Sequence, residues 1–379
     1  MAWLFGDSTS RARRLVAQLG DPQKSAQAET ELLQLGKDAV PALLEALQLP
    51  QPALRARAAE VLIRLGPLAT PQLIAQLNTA SPPVQLQICQ IFAQTRPREA
   101  LPALLGALRS PSQEVRIQAA KTIGGIGDAS VLPSLIRLTK DADPGVRVAA
   151  VLAMSYFPQS TSTLKDVLLE DAKIEVRQAA ARALTRLRDP STLPALIEAL
   201  QDGRWWYERE REVEDLLQAI LAFGEQAVPY LLETIEHRES VVRRLSALLL
   251  GKIKDRRALP ALEIALYDLH FEVGETAAQA LIGFGREGIE VLIQALQHPE
   301  ATVRERVVHA MGSLPHPQFT PLLIERLQDS DEAVRLRAIQ ALARIKDRRA
   351  LPALQALATD RTNRTLFLAA REAIEEIQK

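Results

Sequence analysis

Side chains able to do chemistry are few in this chain, and they are scattered. The five histidines, His237, His270, His298, His309 and His316, show no pairing at metal-ligand spacing. Cys89, the single cysteine, lies in the apolar run Ile88-Cys89-Gln90-Ile91-Phe92, the setting of a packed thiol and not of a nucleophile. Gly124-Gly125-Ile126-Gly127 ends a helical pattern and follows no strand, so it is not a phosphate loop. Paired carboxylates such as Glu375-Glu376 fit a solvated helix face, and neither a Ser-His-Asp nor a Cys-His set can be assembled. The chain is therefore expected to carry no catalytic residue, no metal and no cofactor. Recognition chemistry stands out instead. Trp205, Trp206 and Tyr207 are consecutive, between Arg204 and Arg209, in a chain with only 4% aromatic residues. Trp, Tyr and Arg are the types enriched at interaction hot spots. Tyr156, in Met154-Ser155-Tyr156-Phe157-Pro158, is a second candidate. The competing interpretation is structural: one tryptophan wedges between units, and the alternating Glu and Arg of 208–212 solvate a helix through i,i+4 pairs.

These candidates sit on a regular framework. Helix-opening prolines recur at Pro41, Pro71, Pro102, Pro133, Pro194, Pro229, Pro260, Pro321 and Pro352, with Thr163 and Glu290 keeping register where proline is missing. The step is 30 or 31 residues throughout, except for 35 between Pro194 and Pro229. Val-Arg keeps pace at Val115-Arg116, Val146-Arg147, Val176-Arg177, Val242-Arg243, Val303-Arg304 and Val334-Arg335. Self-similarity at a period of roughly 20–50 residues marks a solenoid, in which each unit buries its apolar face against its neighbours.

Within one unit, Pro102 suits a first helical turn, where its missing N–H has no intrahelical partner to lose. Leu101, Leu104, Leu105 and Leu108 then share a face, Ser110-Pro111-Ser112 breaks the helix, and Val115, Ala119, Ala120, Ile123 and Ile126 form the stripe of a second helix. Alanines in mid-helix allow neighbouring helices to approach to roughly 8–10 Å. The pattern predicts an all-α, right-handed α-solenoid of about twelve helical hairpins. It is expected to run as one continuous body over 1–379, with a degenerate N-terminal capping pair at 1–36 and a C-terminal capping repeat at 352–379. Trp3-Leu4-Phe5 is read as a tuck that closes the first repeat. The long step places its extra residues at 202–212, between the two helices of one hairpin, where insertions in repeat proteins carry binding residues.

The segment Asp329-Ser330-Asp331-Glu332-Ala333-Val334-Arg335, continuing to Ala338, Ala341 and Leu342, carries the pattern Asp-x-x-x-x-Val-Arg-x-x-Ala-x-x-Ala-Leu. Asp171 to Arg177, continuing to Ala180, Ala183 and Leu184, repeats it. On these residues the chain, from about 24 to 379, resembles the HEAT-repeat family, and within it the HEAT-like repeats of phycobilin lyases. The resemblance implies that the loop Asp and the second-helix Arg are structural, so Arg116, Arg147, Arg177, Arg304 and Arg335 are expected to bind loop carboxylates and nearby carbonyls. One HEAT-like enzyme class, deoxyhypusine hydroxylase, holds two irons through His-Glu dipeptides. No histidine here is followed by glutamate.

Lys plus Arg and Asp plus Glu number 46 each, so no global basic field gathers nucleic acid, and none is expected as partner. Arg64, Arg186, Lys252 and Arg344 share one second-helix position, but Gly125, Tyr156 and Gly283 interrupt the row. No run reaches the roughly 18–20 apolar residues of a membrane span, and the apolar start precedes its charges, the reverse of a signal peptide. A cytoplasmic protein is expected. The leading function is a non-catalytic scaffold or adaptor that binds another protein on its concave face or at the 202–212 loop. The alternative is a phycobilin lyase subunit or phycobilisome-associated factor, binding a bilin or a phycobiliprotein, although no bilin-specific motif is present. A nucleic-acid-binding role is a third, disfavoured by the charge balance.

Overall fold

A computed structural model describes residues 3–205, 213–313, 316 and 318–379, with side chains from residue 8 onward. Among these residues the secondary structure is α-helix and short 3-10 turn, arranged as twelve successive pairs from Trp3–Gln18 with Ser25–Leu35 to Leu351–Leu357 with Arg364–Gln378. The chain is an all-α solenoid. The first pair, Trp3–Gln18 with Ser25–Leu35, falls within the 1–36 capping pair expected from the sequence.

The pair Leu101–Ala107 and Gln113–Ile126 shows how sequence becomes hairpin. Proline occupies the first turn of the short helix, after a 3-10 turn at Arg98–Ala100. Ser112 then caps the long helix by accepting from the Val115 N–H at 3.4 Å. Asp143 and Asp331 cap Pro144–Met154 and Glu332–Ile345 in the same way. Four long helices end on a basic residue with positive φ, namely Arg96, Arg188, Lys254 and Lys346. A cation there faces the negative helix end, and the left-handed conformation stops the helix without glycine.

The chain divides into two compact units, Met1–Ala199 with Arg209–Ala219, and Leu200–Glu208 with Ile220–Lys379. In the first, Leu43, Leu62, Ile88, Phe92 and Ile123 are fully buried between pairs. In the second, Leu231, Leu250, Leu262, Leu281 and Phe319 do the same. Burying a Leu, Ile or Phe side chain contributes on the order of 1.5–3 kcal/mol, so the apolar stripes read from the sequence supply the cohesion. Long helices approach closely: a Cβ on Gly312 would lie 2.5 Å from the Ala341 Cβ.

Candidate functional site

The polar side chains of the repeat tie one hairpin to the next. Arg116 grips Asp141 of the following turn, Nε to Oδ2 at 2.9 Å and Nη2 to Oδ1 at 3.0 Å. Arg147 holds Asp171 at 2.8 and 2.9 Å, Arg243 holds Asp268 at 2.6 and 2.9 Å, and Arg304 holds Asp329 at 2.8 and 2.6 Å. The free fork of each arginine turns back on its own hairpin. Arg304 Nη1 donates to the carbonyls of His298 at 2.8 Å and Pro299 at 2.9 Å, six and five residues earlier. Arg335 Nη1 donates likewise to Asp329 and Ser330, and Arg177 Nε to Leu168. The bidentate geometry is the strong form of this interaction. Hydrogen bonds from Arg304 hold the Asp329 carboxyl below the usual carboxylate range. At Asp171 burial pushes the other way, and the bonds from Arg147 prevail.

One rung is built differently. In the pair Leu259–Ala265 and Phe271–Ile282, Val273 is followed by Gly274 where sister pairs have arginine. The guanidinium comes instead from Arg306 on the next long helix, Ala301–Ser313. Its Nη1 donates to the Asp268 carbonyl at 2.6 Å, the position six residues before Gly274, and to Leu266 at 3.1 Å. Where the following turn would supply Asp, it supplies His298, stacked on Tyr267 with ring centroids 4.7 Å apart.

The residues singled out by composition do not converge. Trp205 is fully buried, as the competing structural interpretation has it. Adjacent to it, Arg204 is exposed and folds onto Asp202, with Nη2 to Oδ2 at 2.7 Å. Trp206, Tyr207 and Arg209 lie outside the described residues. Tyr156 is half exposed in the turn after Pro144–Met154, with the Arg186 guanidinium 4.2 Å from its ring centroid. This Arg-on-aromatic arrangement is a surface feature of the first unit. Cys89 is buried, which pushes its thiol up to about 12.

Sequence reasoning missed the turn above Gly274. Ile264, Tyr267, Leu269 and Phe271 are all exposed there, Leu269 to 95%. Ile264, Tyr267 and Leu269 border a groove of about 590 Å³ that Ile235, Glu236 and Arg238 close from the preceding pair, and Phe271 lines a smaller pocket beside it. The signal was available. Counting from the opening proline, the same four positions read Glu233, Glu236, Arg238 and Ser240 one pair earlier, and Glu325, Gln328, Ser330 and Glu332 two pairs later. Attention to the inserted loop hid a substitution that leaves the period intact.

HEAT repeats match residues 70–155, 137–216, 214–282 and 289–375, and the chain belongs to the HEAT-repeat family. Among curated proteins it is similar to a deoxyhypusine hydroxylase of Eremothecium gossypii, 28% identical over 236 residues, which covers 52% of this chain and 70% of that protein. It is also similar to the uncharacterized phycocyanin operon protein Z of Pseudanabaena tenuis, 28% identical over 148 residues, 36% of this chain and 73% of that one. Of solved structures, Kap121p aligns with a TM-score of 0.60 at 15% identity over 97% of this chain. Kap95p, solved in a study of its binding to RanGDP, aligns with 0.55 at 14% over 97%. The chain spans 49% of the Kap121p chain and 59% of the Kap95p chain. At such identity the likeness is one of fold. Among the described residues no three His, Cys, Asp or Glu side chains gather as metal ligands, and no helix is long and apolar enough to cross a membrane.

Proposed function

We propose that the chain is a non-catalytic helical-repeat scaffold that holds another protein, on the concave face of its repeats or at the 202–212 loop. The observation that carries this is the Arg–Asp ladder. The recurring polar side chains are committed to fixing successive hairpins, which favours a stiff surface whose variable positions recognise a partner. Structures of like fold support it: Kap121p was solved bound to Ste12p and Kap95 in a complex with Nup1, with TM-scores of 0.52 and 0.55. Equal numbers of basic and acidic residues, 46 each, favour protein over nucleic acid as partner. Affinity capture of the tagged chain from its native host, with quantitative mass spectrometry and reciprocal capture, tests this. One protein recovered in fixed ratio in both directions is expected. Recovery of nothing above control, with the bait intact and helical, overturns it.

A second reading, a factor that binds a bilin or phycobiliprotein, is favoured by the match to phycocyanin operon protein Z. Mixing the purified chain with a linear tetrapyrrole is the test. An absorbance shift that saturates supports this reading, and an unchanged spectrum opposes it.

A further inference from the structure

The turn Leu266–Phe271 is held from both sides while Tyr267, Leu269 and Phe271 are exposed. Arg243 fixes the Asp268 carboxylate, Arg306 fixes the Leu266 and Asp268 carbonyls, and His298 stacks on Tyr267. A preorganised turn gives up little conformational entropy when it is covered. Exposed apolar side chains clustered at one site mark an interaction surface, whereas scattered ones do not. Ile264, Tyr267, Leu269 and Phe271, at positions that are polar in the pairs opened by Pro229 and Pro321, form a cluster, and the groove beside Leu269 offers a place for an incoming side chain.

Charge decides what fits. The Arg243 guanidinium in the groove is neutralised by Asp268, and Arg244 lies 3.8 Å from Glu272. Glu236 lines the groove, Glu272 borders Phe271, and Glu263 is near enough to help burial raise the Tyr267 hydroxyl. Against these carboxylates stands one strongly exposed cation, Arg238, itself 3.8 Å from Glu239. With Glu236, Glu239, Glu263, Asp268 and Glu272 set against Arg238, Arg243 and Arg244, the surroundings of the groove carry a small acidic excess around an apolar centre.

We propose that this groove seats a basic amphipathic segment of a partner protein, its apolar side chains entering beside Leu269 and Ile264 and its Lys or Arg residues meeting Glu236, Glu263 and Glu272. This rests on the protein-binding reading and names a site and a ligand chemistry within it.

The test is fluorescence anisotropy with a labelled 14-residue helical peptide of leucine and lysine, the leucines spaced i, i+3, i+4, i+7. Controls are the same peptide with glutamate for lysine and with serine for leucine. The Leu/Lys peptide is expected to bind the full chain, at least tenfold more weakly after Leu269→Asp or Ile264→Glu, and neither control is to match it. Unchanged helical content and melting show that the variants fold. Binding of the Leu/Lys peptide that ignores both substitutions, or equal binding of the Leu/Glu peptide, overturns the proposal. So does concentration-dependent dimerisation, or binding to phosphatidylglycerol vesicles, that Leu269→Asp abolishes, because another occupant then owns the groove. If affinity capture recovers the same partner with Leu269→Asp as with the unaltered chain, the site is wrong and the scaffold stands. If capture recovers no partner at all, the scaffold reading itself has failed.

Discussion

Arg306 occupies the space that Gly274 leaves empty: a Cβ on that glycine would lie 2.8 Å from the Arg306 Nη1 and 2.9 Å from its Cδ. In the pairs of Arg55, Arg116, Arg147, Arg243, Arg304 and Arg335 a guanidinium sits on the carbonyls of the intrahairpin turn. At Gly274 the Val-Arg position has no arginine, and Arg306 of the neighbouring helix supplies one across the hairpin boundary. A buried arginine needs such carbonyls, because an unpaired charge out of water is costly.

Gly274→Ala should therefore destabilise the chain by about 1–3 kcal/mol through overpacking. Arg306→Ala should cost a similar ~1–3 kcal/mol by leaving buried carbonyls unmatched. The double change Gly274→Arg with Arg306→Ala should cost less than the sum of its parts, since it restores the arginine of the sister pairs. Urea melts of the unaltered chain, Gly274→Arg, Arg306→Ala and the double variant check this, and strict additivity would refute the exchange.

Stability should fall on acidification. The Asp329 carboxyl is held low by Arg304, and Asp347 is lowered to about 2 by Arg349. In the unfolded chain both return to the ordinary carboxylate value near ~3.9. The unfolded state then binds more protons in this range, so the contribution is complete above about pH 5 and is lost as pH falls toward about 2. Melting temperature at pH 6 should exceed that at pH 3, and Asp329→Asn should narrow the difference.

Trp205→Ala should lower stability by about 3–5 kcal/mol, the usual cost of emptying a buried Trp or Phe site. Arg204→Ala, one residue away and on the surface, should stay within about 0.5 kcal/mol. Thermal melts distinguish them. Equal, small effects would mean that Trp205 is a surface residue.

Cys89 should resist thiol reagents while the chain is folded, because burial pushes its thiol up to about 12 and so suppresses the thiolate. Labelling with a chromogenic disulfide should proceed only in urea. Rapid reaction in buffer would contradict its burial.

The hairpins were legible in the sequence because prolines, apolar stripes and Val-Arg pairs recur at one period, and a period survives noise at single positions. That Arg116, Arg147 and Arg304 hold loop carboxylates was implied by the family resemblance their motif carries. The swap at Gly274 was not, because Arg306 lies 38 residues beyond the Asp268 carbonyl it serves. Nothing local in Val273-Gly274 announces it. Trp205 misled because hot-spot composition and core composition share tryptophan, and only burial separates them. Leu269 was overlooked because an exposed leucine is unremarkable until sister positions are compared.

The most direct measurement is photo-crosslinking in the native host, with benzoylphenylalanine placed at Ile264 and, as control, at the equivalent exposed Glu325. A protein-binding scaffold with its anchor at this turn gives one discrete adduct with a second protein from position 264 and a much weaker one from 325. Monomer alone from both positions, at full expression of folded protein, would contradict it.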